Sequence, residues 1–132
     1  MKLTTIFTVG LVALAETASA GFIDSCNSDW YWDRNFMIAN CRKTDGTIRR
    51  TRQDMNLCVG TVNGVLVPQN TGNAFVAACG PGTKVAPTSV QAQCQRNVPG
   101  LSPFVTTTLN LNTFVENNNG FLHCFGHNGA PF

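Results

Sequence analysis

Glu116, His123 and His127 are the residues that could serve as an acid and base pair near neutral pH, as a small ribonuclease or hydrolase would need. His123, Cys124 and His127, with Cys58, carry donor types that bind zinc. Trp30, Tyr31 and Trp32 offer ring faces for stacking, and Arg49, Arg50 and Arg52 form a basic run, expected on a solvated loop, that suits acidic groups. None of these sets amounts to a motif. Nothing in the sequence sets both histidines on one cleft with Glu116, and a closed zinc site needs four defined ligands. A glycosidase needs two facing carboxylates, which the dispersed aspartates do not specify, and no GxSxG turn or metalloprotease helix occurs. No catalytic residue, metal or cofactor is therefore expected.

The elements that would position any site start from a chain of 132 residues, 43% hydrophobic and 12% charged. That is enough apolar material to fold, in one ordinary domain or two very small ones. Nine Lys and Arg against seven Asp and Glu fall short of the concentrated basic stripe of a nucleic-acid surface, so no nucleic acid is expected. Lys2, the apolar stretch Leu3 to Ala15 and the small residues Ala18-Ser19-Ala20 read as a signal peptide over residues 1–20. The apolar run is shorter than the roughly 20 residues of a membrane span, so the expectation is a secreted, extracellular chain over 21–132 and no membrane partner.

Secretion makes disulfides the default. Cys26 and Cys41 are as far apart as Cys79 and Cys94, and no CxxC is present, so two equal local bridges are the simplest framework. Cys58 and Cys124 remain, either as a third bridge or as two buried thiols.

The equal spacing reflects an internal repeat. Phe22-Ile23-Asp24-Ser25-Cys26 aligns with Phe75-Val76-Ala77-Ala78-Cys79, and Ile38-Ala39-Asn40-Cys41 with Gln91-Ala92-Gln93-Cys94. Further on, Met55 to Leu66 aligns without gaps to Leu111 to Leu122, so two units of about 50 residues, at about 21–70 and 73–127, are joined near Pro68 to Gly72. Asn63-Gly64 and Asn119-Gly120 sit between apolar stretches and predict a tight hairpin at the end of each unit. Alternation over Phe36 to Cys41, Val90 to Cys94, Met55 to Val59 and Leu109 to Leu111 predicts strands, and no window carries a sustained helical face. Phe22 and Phe75 are expected in the core, with Trp30 to Trp32 as a packed plug over a short sheet.

The doubled pattern of Phe-x-x-Ser-Cys, Ile-x-Ala-x-Cys, Met55-Asn56 or Leu111-Asn112, and an Asn-Gly hairpin resembles the cyanovirin-N homologue family over essentially the whole of 21–132. The resemblance implies an all-β fold of two pseudo-symmetric repeats, each a three-stranded sheet plus a hairpin exchanged with the other repeat. It implies a lectin without catalysis that binds mannose-rich or related oligosaccharides, free or on glycoproteins. The linker could act as the hinge of a domain-swapped dimer, so a monomer and such a dimer both remain open.

Carried over position by position, the resemblance implies a first sugar site of Asp24, Ser25, Arg42, Lys43, Thr44 and Asp45, closed by Glu116, Asn117, Asn118 and Asn119. Carboxylates, amides and backbone groups on rigid turns suit hydroxyls that donate and accept together. A second site would use Asn73, Gln95, Arg96 and Asn97, closed by Thr61 and Asn63; Ala77, Ala78, Gly60 and Val62 stand where polar side chains are expected, so this end should be weaker or silent. The rival reading is a secreted interaction protein that keeps the scaffold and meets a protein partner through Trp30 to Trp32 or the Arg49 to Arg52 segment.

Overall fold

The computed structural model describes residues 21–132, and the expected leader lies outside the described residues. From Gly21 the chain makes a 3-10 turn (Phe22–Asp24), strands β1 (Tyr31–Asp33), β2 (Phe36–Arg42) and β3 (Ile48–Asp54), a second 3-10 turn (Met55–Leu57) and the hairpin β4 (Val59–Val62) and β5 (Val65–Pro68). The series then recurs. A short helix α1 (Ala74–Ala77) precedes β6 (Thr83–Ala86), β7 (Ser89–Gln95) and β8 (Phe104–Asn110), a 3-10 turn (Leu111–Thr113) and the hairpin β9 (Glu116–Asn118) and β10 (Phe121–Cys124). Two short strands follow, β11 (His127–Asn128) and β12 (Ala130–Pro131).

Each repeat builds an antiparallel sheet, β1-β2-β3 and β6-β7-β8. The registers correspond, with Ala39 opposite Thr51 in one sheet and Ala92 opposite Thr107 in the other. Strand alternation turns Met37, Ala39 and Cys41, and likewise Val90, Ala92 and Cys94, to the inside, where all six are buried. Each sheet then needs a cover for that face, and the cover comes from the other repeat. The β9–β10 hairpin lies on β3, where Gln53 Nε2 donates to the carbonyls of Leu122 (3.3 Å) and His127 (2.8 Å). The β4–β5 hairpin lies on β8, where the Leu66 amide donates to Thr107 Oγ1 at 3.1 Å. One core results, drawing Phe22, Trp30, Met37 and Met55 from the first repeat and Val90, Leu111, Val115 and Leu122 from the second.

Three features differ from the sequence expectation. Met55-Asn56 and Leu111-Asn112 are not strands but 3-10 turns, because Asp54 and Asn110 accept hydrogen bonds from the amides two residues on and cap the turns. Arg49, Arg50 and Arg52 lie within β3 rather than on a loop, with Arg50 and Arg52 on its outer face over the rings of Tyr31, Phe36 and Phe132. The segment after residue 126 is also structured: β11 adds to the β9–β10 hairpin and β12 adds to β3, giving the first repeat a fourth strand.

The cystines are Cys26–Cys41, Cys79–Cys94 and Cys58–Cys124, the last tying the hairpin of each repeat to the other. Phe22 is fully buried against Trp30, while Phe75 is half-buried against Trp32, with ring centroids 5.2 Å apart. Trp30 is buried and donates from Nε1 to the Pro87 carbonyl at 2.7 Å, so the first disulfide loop is plugged into the second repeat. Of the three aromatics only Tyr31 is exposed, beneath Arg50. Among the described residues no helix is long and apolar enough to cross a membrane.

Candidate functional site

Both Asn-Gly turns take positive φ at both central residues, 50° and 82° at Asn63-Gly64 and 50° and 88° at Asn119-Gly120. Each tip presses on the end of the opposite sheet. A Cβ at Gly120 would stand 2.6 Å from Lys43 Cγ, and one at Gly64 would stand 3.1 Å from the Gln95 carbonyl oxygen. Glycine is needed there for close approach as well as for backbone shape.

At the first end this contact brings together most of the residues named from the sequence. Asn117 Nδ2 donates to Ser25 Oγ (2.9 Å) and to the Arg42 carbonyl (2.8 Å), while its Oδ1 accepts from the Gly120 amide (2.7 Å). Asn119 Oδ1 accepts from both the amide (2.9 Å) and the hydroxyl (3.0 Å) of Thr44. Two asparagines of one repeat thus clamp the loop after the second cysteine of the other. Within that loop Asp45 Oδ1 accepts from the Thr47 hydroxyl (2.6 Å) and amide (2.9 Å), and Lys43 Nζ lies 3.9 Å from Asp45 Oδ2. The hydroxyl bond from Thr47, then its amide bond, hold the Asp45 carboxyl below its usual range, aided by Lys43 and Arg49.

Asp24 flanks this cluster, exposed on the first turn. Glu116 and Asn118 fall on the opposite face of β9, since side chains alternate along a strand. There Asn118 Nδ2 donates to Asn128 Oδ1, which also lies 2.6 Å from His123 Nδ1. Sequence reading found no reason to set Glu116 beside a histidine, but the hairpin register places Glu116 directly opposite His123. His127 is not part of that pair: its Nε2 is bonded to Asn70 of the linker, and Cys124 is held in a disulfide.

At the second end, Ala78, Gln95, Arg96, Asn97 and Pro103 line an open groove of about 380 Å³. By the repeat, Ala78 stands at the position of Ser25, and Thr61 at that of Asn117. Arg96 is turned along the groove wall, with Nε donating to the Ser102 carbonyl at 2.7 Å. Asn63 reaches this end through its turn, whereas Asn73 opens α1 and is tied by its amide to the Asn56 carbonyl. Thr61 sits within the hairpin opposite Leu66.

Two internally related sheets, capped by exchanged hairpins and closed by polar turns at both ends, define a pseudo-symmetric all-β architecture. A family model, the CVNH domain, matches residues 22–123, and the chain belongs to this family of cyanovirin-N homologues. A MoCVNH3 variant solved with (N-GlcNAc)4 is 17% identical, with a TM-score of 0.68 over 80% of this chain and 98% of that one. The Gibberella zeae CVNH structure is 20% identical, with a TM-score of 0.63 over 80% and 97%. The microvirin:mannobiose complex is 19% identical, with a TM-score of 0.58 over 80% and 98%. At these identities the likeness to solved structures is one of fold. A search of the curated proteins gives no match.

The signal that sequence reading missed is Asn128. It holds Asn118 and His123 in one network, and only the return of the chain as β11 brings it there.

Proposed function

We propose that the protein is a secreted lectin without catalysis, which binds neutral oligosaccharide at the first-repeat end. The observation that carries the reading is the clamp of Asn117 and Asn119 on Ser25, Arg42 and Thr44, which fixes the loop bearing Arg42, Lys43 and Asp45. A preorganised set of donors and acceptors can engage several hydroxyls without first ordering its own loop. The complexes of two relatives, with (N-GlcNAc)4 and with mannobiose, support sugar as the ligand class, and mannose-rich or related glycans are the first candidates. Three cystines fit an oxidising compartment, in keeping with a leader over residues 1–20.

A glycan array with the purified protein tests the reading. Binding to neutral glycans is expected, and no signal above background from protein with native circular dichroism would overturn it. The residue test uses Asp45→Ala with Asn119→Gly, the glycine keeping the turn's positive φ while removing the amide. This pair should abolish most first-end binding, whereas Asn73→Ala with Arg96→Ala should leave it intact. A second reading, with the sugar at the other end, is favoured by the open groove at Gln95 to Asn97. The reverse mutational result would establish it.

A further inference from the structure

The outer faces of the two sheets are related by the repeat yet differ in chemistry. On the first, Asn40, Arg42, Ile48, Arg50 and Arg52 point outward, and Arg50 and Arg52 lie on aromatic rings. On the second, the matching positions are Gln93, Gln95, Phe104, Thr106 and Thr108. Here the sheet carries an open concavity of about 660 Å³, lined in part by Thr83, Gln91, Gln93, Gln95, Phe104 and Thr106. None of its lining side chains is charged.

We propose that this groove is a second glycan-binding site, one that takes a linear neutral oligosaccharide along the face of β7 and β8. The proposal shares with the preceding reading the premise that glycans are the ligands, and assigns them a sheet face that meets the second-end groove only at Ala78 and Gln95. Three observations converge on it. Gln91, Gln93 and Gln95 form a row on alternate positions of β7, spanning about 13 Å at the usual rise of a strand, longer than one pyranose ring. Their amides donate and accept at once, as vicinal hydroxyls require, and Thr106 stands opposite Gln93 to complete the polar lining. Phe104, opposite Gln95 and 46% exposed, offers a ring face to the apolar side of a sugar at the end where Ala78 and Gln95 join this groove to the smaller one. A peptide strand is a poorer occupant. Both backbone edges of β7 are already paired, with β6 and β8, so a ligand on this face is read by side chains alone.

The test is an amide NMR titration of the full protein with GlcNAc oligomers and mannose oligomers, from disaccharide to hexasaccharide. Shifts at Gln91, Gln93, Gln95, Phe104 and Thr106 are expected, and they should persist in the Asp45→Ala, Asn119→Gly protein. Affinity at the groove should rise with chain length, and Gln93→Lys with Phe104→Ala should weaken it about three- to tenfold while circular dichroism stays native. Shifts confined to Ser25, Arg42 to Asp45 and Asn117 to Asn119 would overturn the groove and leave the first-end reading standing. Absence of any shift with every oligomer would overturn both.

Discussion

Asp45 and Asn117 show how much of the first end rests on single side chains. The Asp45 carboxylate fixes its loop most strongly while ionised, because both Thr47 bonds are donated to it. Its pKa is lower in the folded protein than in the unfolded chain. The stability it adds is therefore present above the ordinary aspartate pKa and lost as pH falls through the lower folded value. Loop order and first-end affinity should thus hold from neutral pH down through the ordinary aspartate range and fall only as pH drops through the lower folded midpoint. A carboxyl NMR titration should place the Asp45 midpoint below that of the same residue in Thr47→Val, where the hydroxyl bond is gone; equal midpoints would contradict the assignment. The residue types of this loop were legible from the sequence, since Asp45 and Asn119 are polar residues on turns. Their roles were not, because the partner of each asparagine lies in the other repeat.

At the scale of elements, the 3-10 turns hold the two repeats together. Asn56 Oδ1 accepts from the Phe75 amide (2.9 Å), and its counterpart Asn112 Oδ1 accepts from the Ile23 amide (3.1 Å), so each turn grips the start of the other repeat. Asn56 is only 5% exposed. Replacing Asn56 by Ala leaves the part-buried Phe75 amide without its acceptor and should cost about 1–3 kcal/mol. Asn112→Ala, at a half-buried position, should cost less, and urea denaturation of the two variants measures the difference. A larger loss for Asn112→Ala would contradict this account. Alternation read these residues as strand because Met55, Leu57 and Val59, and Leu109 with Leu111, do alternate. Asp54 and Asn110 redirect the backbone by capping, a local side-chain effect that overrides the two-residue period.

At the scale of the whole molecule, Cys58–Cys124 closes a loop of sequence separation 66 and bridges the two hairpins. A chain-entropy estimate assigns a cross-link of that span about 4 kcal/mol. The paired change Cys58→Ala with Cys124→Ala should lower stability by that order, partly offset by relaxation in the core, with the fold retained by the two local bridges. Equilibrium urea unfolding measures it, and no free thiol should be labelled in the unmodified protein. The linker joining the repeats is pinned as well: the amides of Gln69, Thr71 and Asn73 donate to the carbonyls of Cys58, Leu57 and Asn56. Gly72 packs so closely that a Cβ would stand 2.5 Å from the Gly60 backbone.

The sequence by itself determined the repeat, the two local bridges, the Asn-Gly hairpins and the polar make-up of the first end. All of these are encoded by near neighbours or by self-similarity, and a backbone preference such as positive φ at Asn-Gly acts whatever lies across the fold. Tertiary structure alone decided that Asn117 and Asn119 clamp the opposite loop while Asn118 turns to Asn128. It also decided that the second sheet keeps an open face while the first is covered by its own arginines and Phe132. Those outcomes depend on contacts between residues far apart in the chain, and only the exchange of hairpins and the return of the chain to β3 bring them together.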